Sequence, residues 1–262
     1  MTQDMVRLAI CGVRGRMGNE LATGLPKFPG ISVVGGCDPR PATNDAELFP
    51  VARSLSELFD IVRPDVVVDF TVAESACANA ECSLEARIPI LIGTSGITET
   101  DLERIDQRAR QAGVGALVAP NFAVGANLLL QFARVAAKFF DSAEVIEIHH
   151  DGKVDAPSGT AMMIARAMRE ARGHPFAADN VTQHNVEGAR GAQFQDMHIH
   201  SLRMAGVVAT HEVILGGPGQ TLTLRHDSSG RESFLPGVAY AATHIQDKVG
   251  LIYGLDRLMD FS

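Results

Sequence analysis

The run Val6-Arg-Leu-Ala-Ile-Cys11 reads as a short apolar strand and passes directly into Gly12-Val-Arg-Gly15-Arg-Met-Gly18, after which a helical pattern reaches Leu25. This junction narrows the fold more than any other feature of the chain. Glycines at i, i+3 and i+6 let the backbone turn tightly and let a helix start close to the strand. The helix then aims its unpaired N–H groups and positive dipole end at an anion. A second apolar strand, 31–37, ends directly before Asp38, about twenty residues past the last glycine, where an acid contacts the adenosine ribose of a dinucleotide. Arg16 and Arg40 could serve a ribose 2′-phosphate instead, so NADH and NADPH both fit the pattern.

The alternation of strand and helix continues. Residues 64–70 and 88–92 are apolar runs of the kind buried in a parallel sheet, a helix is expected over 99–111, and 116–119 reads as the next strand. Ligands of such sheets bind at the carboxyl ends of the strands. Phe70-Thr71, Gly93-Thr94-Ser95 and Pro120-Asn121-Phe122 are therefore candidates for the nicotinamide half of a cofactor, or else plain turns. From 126 to 139, Leu128, Leu129, Phe132, Val135, Ala136 and Phe139 recur at helical spacing and are expected to be packing residues.

Beyond residue 121 the style changes. Residues 197–202, 207–215 and 220–225 alternate apolar and polar, as antiparallel strands with one open face do. A domain boundary near 121 follows. His198, His200 and His211 have no Cys or Glu partner at ligand spacing, so solvated or subunit-interface histidines are expected rather than a metal. A net charge of -8 without a basic block argues against nucleic acid or an anionic membrane as partner. The first strand begins by Val6 and no apolar run is long enough to span a bilayer, so no signal peptide and no membrane helix are expected. The four cysteines form no CxxC pair and are expected to be reduced and structural, as in a cytoplasm.

The chemical centre is the stretch Glu147-Ile-His-His-Asp-Gly-Lys-Val-Asp-Ala-Pro-Ser-Gly-Thr-Ala161. A strand over 145–150 sends His149 and His150 to opposite faces unless it ends there, and Asp151-Gly152 supplies that end. Lys153 falls on the turn. Ser158 is placed to cap a helix that carries Ala161, Met162, Ala165 and Met168 on one face. The N–H groups of Gly159, Thr160 and Ala161, with Lys153 close by, would make an anion site suited to a carboxylate, and a His or the Lys could donate a proton there. Each residue also has a plain structural reading as turn lysine, packed histidine or helix cap.

These residues closely resemble the dihydrodipicolinate reductase family. The 147–161 stretch is the strongest match. It is supported by Gly12 to Gly18, Asp69-Phe70-Thr71, Gly93-Thr94, Asn121-Phe122 with Val124-Gly125 and Asn127, the His226 to Arg231 loop and the 250–255 segment, so the likeness spans nearly the whole chain. The resemblance implies an α/β protein: a Rossmann-type parallel-sheet domain, 1–121 with 231–262, and an inserted α+β domain, 122–230, whose open mixed or antiparallel sheet binds substrate and builds a homotetramer. It implies hydride transfer from NADH or NADPH to a small anionic dicarboxylate of the diaminopimelate and lysine pathway. It assigns proton donation to His149 and Lys153, and carboxylate binding to His150, Lys153, Gly159 and Thr160. Cofactor contacts fall to Gly12, Gly15, Arg16, Met17, Asp38, Gly93, Thr94, Ser95, Ala119, Pro120, Asn121 and Phe122. The alternatives are a reductase of another small cyclic imine or keto acid, and a non-catalytic sensor of NAD(P)H.

Overall fold

The computed structural model describes residues 5–41 and 48–259. The chain divides into two compact units, 1–123 with 231–262 and 124–230. The first unit begins with β1 (Val6–Cys11), α1 (Arg16–Gly24), β2 (Ile31–Cys37), β3 (Val51–Ala52), α2 (Leu55–Phe59), β4 (Val66–Asp69), α3 (Ala73–Glu85), β5 (Ile90–Ile92), α4 (Glu99–Ala112) and β6 (Gly115–Val118). The second holds α5 (Val124–Ala136), β7 (Ser142–His149), α6 (Gly159–Arg172), β8 (Ala192–Phe194), β9 (Met197–Arg203), β10 (Ala209–Gly217) and β11 (Gln220–Ser228). The chain then returns to the first unit with α7 (Leu235–His244) and β12 (Gly250–Tyr253).

The first sheet runs β12-β6-β5-β4-β1-β2-β3, every pair parallel. Successive side chains leave a strand on opposite faces, and the core divides accordingly. Leu8, Ile10, Val66, Val68, Leu91 and Leu117 join Leu21 of α1 and Val238 of α7 in one layer. Ala9, Cys11, Val67, Ile90, Ile92 and Val118 join Leu58 of α2, Ala76 of α3 and Ile105 of α4 in the other. Each such aliphatic side chain contributes about 1.5–3 kcal/mol of burial, which is why these strands are apolar at most positions, Arg7, Ser32 and Asp69 being the polar ones. All four cysteines are free, and Cys11 and Cys37 are buried. α4 shows how locally consistent the chain is: Thr98 and Asp101 form a capping box at its start, and Gly113, at φ 74°, closes it.

The second sheet runs β11-β10-β7-β9-β8. It is mixed, because β9, expected to be antiparallel, pairs parallel to β7. The connection through α6 explains this, since a helical crossover returns the chain in the same direction. α5 and α6 cover one face of the sheet, where Leu129, Leu130, Ala133, Ile164, Ala165 and Met168 meet Val145, Ile199, Val213 and Leu215. Two expectations about these helices need correction. Ile164, not Met162, shares the buried face of α6 with Ala161, Ala165 and Met168, because Met162 is about 100° round the helix from Ala161. Phe132, Val135 and Phe139 are exposed, and Leu129, Leu130 and Ala133 carry the packing. Among the described residues no helix is long and apolar enough to cross a membrane.

Candidate active site

In the first unit the predicted cofactor residues lie along one edge of the sheet, where β1, β2, β4, β5 and β6 end. Gly12 turns the chain at φ 76°, and its carbonyl accepts from Gly15 N–H at 2.8 Å. Gly15 caps α1 without any side-chain hydrogen bond, so the first N–H groups of the helix have no capping side chain. A Cβ on Gly18 would drive into the Gly12 carbonyl, so the helix can start this close to the strand only on glycine. Arg16 is exposed at the first helical position, and Met17 packs partly against the core.

Asp38, directly after β2, is almost fully buried. It accepts from Arg14 N–H (3.0 Å), Arg40 N–H (3.1 Å), Arg40 Nε (2.8 Å) and Arg40 Nη2 (2.6 Å). Burial works to raise its pKa, but the Arg40 guanidinium and the two backbone donors outweigh it and hold the carboxyl below its ordinary value. Both readings of this corner, acid and arginine, are thus present as one pair. Gly93 is forced to be glycine by the Phe70 ring. The Thr94 hydroxyl points inward and donates to Asp69 at 3.1 Å, beside Thr71 and Asn79, which leaves Ser95 as the exposed member of that turn. Ala119 and Phe122 are buried, and the Phe122 ring packs on Phe70 with centroids 5.5 Å apart. Phe122 is a core residue, so only its backbone is available to a ligand. Pro120 is exposed and Asn121 half-buried, the latter accepting from Ala123 N–H at 2.8 Å.

In the second unit β7 ends at His149, and a turn closed by Lys153 N–H donating to the His150 carbonyl at 3.1 Å carries the chain away. His149 therefore stays on the helix-covered face with Glu147, and His150 sits exposed outside the strand. Glu147 is fully buried. It pairs with His149 Nδ1 and accepts from Ser158 N–H at 3.2 Å and from Arg203 Nη1 and Nη2 at 3.0 and 2.9 Å. Burial works to raise the pKa of Glu147, and Arg203 with its other donors brings it below the ordinary value. His149 moves down. Burial is the largest cause and the charges of Lys153 and Arg203 add to it, while Glu147 opposes them.

Edge-on to His149, with ring centroids 5.3 Å apart, stands His211. It is buried against the expectation of a solvated or interface histidine, because β10 places it directly opposite Glu147, on the covered face. Its Nε2 meets the Ser158 hydroxyl at 3.1 Å, and burial pushes its pKa down to about 4. An unfolded imidazole takes its proton near 6.5, so protonation favours the unfolded chain. The stability carried by neutral His211 is complete above pH 6.5 and is lost as the pH falls toward about 4, a difference of about 3 kcal/mol. Urea unfolding at the two pH values should show that much more acid sensitivity in the native chain than in His211→Gln.

Ser158 caps α6, its hydroxyl accepting from Ala161 N–H at 3.2 Å. Gly159 and Thr160 open the helix, and a Cβ on Gly159 would meet nothing within 4 Å, so no protein packing explains the glycine. Lys153, half-buried, donates to Asp155 at 2.7 Å and holds that acid below its ordinary pKa. The structure thus gathers His149, Lys153, Ser158, Gly159 and Thr160 on one strand–turn–helix segment. It adds Glu147, Arg203 and Asp155, to which the sequence assigns no role, and His211, which the sequence places at the surface or an interface. His198 and His200 lie away from the centre, paired with Asp179 and Glu144, and no metal-binding cluster occurs among the described residues.

The family model described as dihydrodipicolinate reductase, N-terminus, matches residues 6–122, and its C-terminal counterpart matches 125–259. A 4-hydroxy-tetrahydrodipicolinate reductase from Moorella thermoacetica is 43% identical over 98% of this chain and 98% of its own length. One from Listeria monocytogenes is 42% identical over 97% and 100%. The solved structure of a dipicolinate-bound dihydrodipicolinate reductase from Paenisporosarcina sp. TG-14 superposes with a TM-score of 0.90 at 36% identity, covering 97% of this chain and 100% of that one.

Proposed function

The chain belongs to the dihydrodipicolinate reductase family, and on that premise we propose that residues 147–160 are the acid and anion-binding centre of its NADH- or NADPH-dependent reduction of 4-hydroxy-tetrahydrodipicolinate to tetrahydrodipicolinate. The observation that carries the proposal is the crowding of the carboxylate-paired His149, the cationic Lys153 and the start of α6 on one segment. A sensor of NAD(P)H has no use for such a set of proton donors.

The first unit suits a dinucleotide: a helix start with no capping side chain, approached through a turn in which only glycine fits. Gly12, Gly15, Arg16 and Met17 hold the pyrophosphate and Asp38 with Arg40 the adenosine ribose. Gly93 to Ser95 and Ala119 to Phe122 hold the nicotinamide end, Thr94 and Phe122 through backbone groups. When bound, the dihydronicotinamide supplies the hydride.

Net, the substrate loses one water and gains one hydride and one proton. The residues of the second unit manage the charge and the proton. The N–H groups of Gly159 and Thr160, with the positive end of α6, bind one carboxylate, and His150 and Lys153 bind the other. To do so Lys153 exchanges Asp155 for the substrate, one anion for another. His149 and Lys153 deliver the proton. Because Gly159 faces no protein atom, Gly159→Ala is expected to leave the melting temperature unchanged or slightly higher while weakening substrate binding at least tenfold. Thermal melts and KM values measure the two effects.

The test of function is a coupled assay in which the unstable substrate is made in situ from pyruvate and aspartate semialdehyde by its synthase, and loss of dihydronicotinamide absorbance is followed with NADH and NADPH separately. Oxidation dependent on this chain is the expected result, and none with cofactor still bound would overturn the reading. We further propose a cytoplasmic homotetramer associated through the outer face of the second sheet. Support comes from half-buried Ile146, Ile148 and Ile214 on that face beside exposed Leu202. Light scattering on the eluting protein reads the mass.

A further inference from the structure

Glu147 engages groups from three separate segments. One oxygen accepts from Ser158 N–H and Arg203 Nη2, and the other accepts from Arg203 Nη1 and pairs with His149 Nδ1. Arg203 Nη2 also donates to the Asp155 carbonyl at 2.6 Å. A single buried carboxylate thus ties the strand imidazole to the first residue of the α6 cap and, through its arginine, to the far end of the 150–157 turn. For an ion pair whose only task was structural, Arg203 alone would satisfy both oxygens. The additional bonds lead to the two parts of the segment that the chemistry needs.

We infer that Glu147, with Arg203 as its counter-ion, is the positioning residue of this centre: it holds His149 as the Nδ1–H tautomer, reserves Nε2 for the transferable proton, and fixes the Lys153 turn relative to the start of α6. The inference rests on the reading above that His149 delivers a proton. In the second unit, His149 is faced by Glu147 on its own strand, Arg203 from β9, His211 from β10 and Lys153 from the turn, and His226 of β11 acts on His211 behind it. Burial, Lys153 and Arg203 all press the imidazole toward its neutral form, and Glu147 opposes them. Losing the Glu147 charge therefore narrows, from the alkaline side, the pH range over which His149 holds a proton to give.

The experiment is the pH profile of kcat at saturating substrates for the native chain and Glu147→Gln, which keeps the shape and one acceptor oxygen. The expected result is a falling alkaline limb displaced by about one pH unit or more to lower pH, with kcat at neutral pH down about tenfold and NADH affinity unchanged. If the variant loses activity with its limb unmoved, Glu147 is a structural acid and the inference fails. If the native chain reduces nothing, the proposed function fails instead. ¹⁵N NMR of histidine-labelled native protein, with the His149 signal identified by its absence in His149→Asn, decides the placement even if Glu147→Gln does not fold. An Nδ1–H signature in the neutral ring is expected, and Nε2–H overturns the inference.

Discussion

Lys153→Ala is expected to lower kcat/KM by about 10²–10⁴-fold while leaving the dissociation constant for NADH or NADPH unchanged, the range that loss of a general acid commonly costs. Two roles meet in this side chain: it places a full positive charge where a substrate carboxylate binds, and it carries a proton. The separation follows from the chain's architecture. Lys153 belongs to the second unit, whereas Gly12 to Gly18 and Asp38 belong to the first. Steady-state kinetics give the first quantity, and quenching or enhancement of dihydronicotinamide fluorescence on titration gives the second. An equal loss of cofactor affinity would contradict the placement of the lysine.

The second large effect belongs to Gly18. Its added methyl would meet the Gly12 carbonyl and the Val13 backbone, neither of which can swing aside as a flexible side chain can. Gly18→Ala therefore pushes α1 away from β1, at a cost of about 1–3 kcal/mol in stability and at least tenfold in cofactor affinity, since the same movement spreads the pyrophosphate cradle. Gly159 offers the contrast, because a methyl there meets open space and disturbs only a ligand. Thermal unfolding, cofactor titration and the substrate KM on the two alanine variants should show stability and cofactor affinity falling together in Gly18→Ala, and substrate binding falling alone in Gly159→Ala.

How much of this was legible in the sequence depended on distance along the chain. The strand–glycine–helix junction, Asp38 and the turn after His149 are local, and their chemistry shows in a window of a few residues. Glu147 was equally visible, since two residues before His149 on a strand means the same face. Its role does not show there, because an acid so deep in a sheet becomes sensible only with Arg203 beside it. Arg203 and His211 are brought in by register, His149 pairing with Arg203 and Glu147 with His211, and no periodicity within either strand reports its partner. Thr94 and Phe122 show a different limit. Their positions at strand ends were legible, but whether a side chain turns outward to a ligand or inward to Asp69 or Phe70 was decided by packing. The helix of Phe132 and Val135 misled for a related reason: the period marks an apolar stripe without saying what covers it.

The last strand to be made, β12, pairs with β6, and the whole of the second unit lies between them in the chain. While a ribosome is still producing residues 124–230, the growing sheet can hold β3 through β6 in order, with the backbone donors and acceptors of Gly115 to Val118 bare along one side. Such a row is a template for any passing extended chain. Closing it late costs little in chain entropy, because that cost rises only logarithmically with the length of the intervening segment. The hazard is one of timing. A nascent chain stalled before Gly250 carries a sticky border that the finished protein has covered.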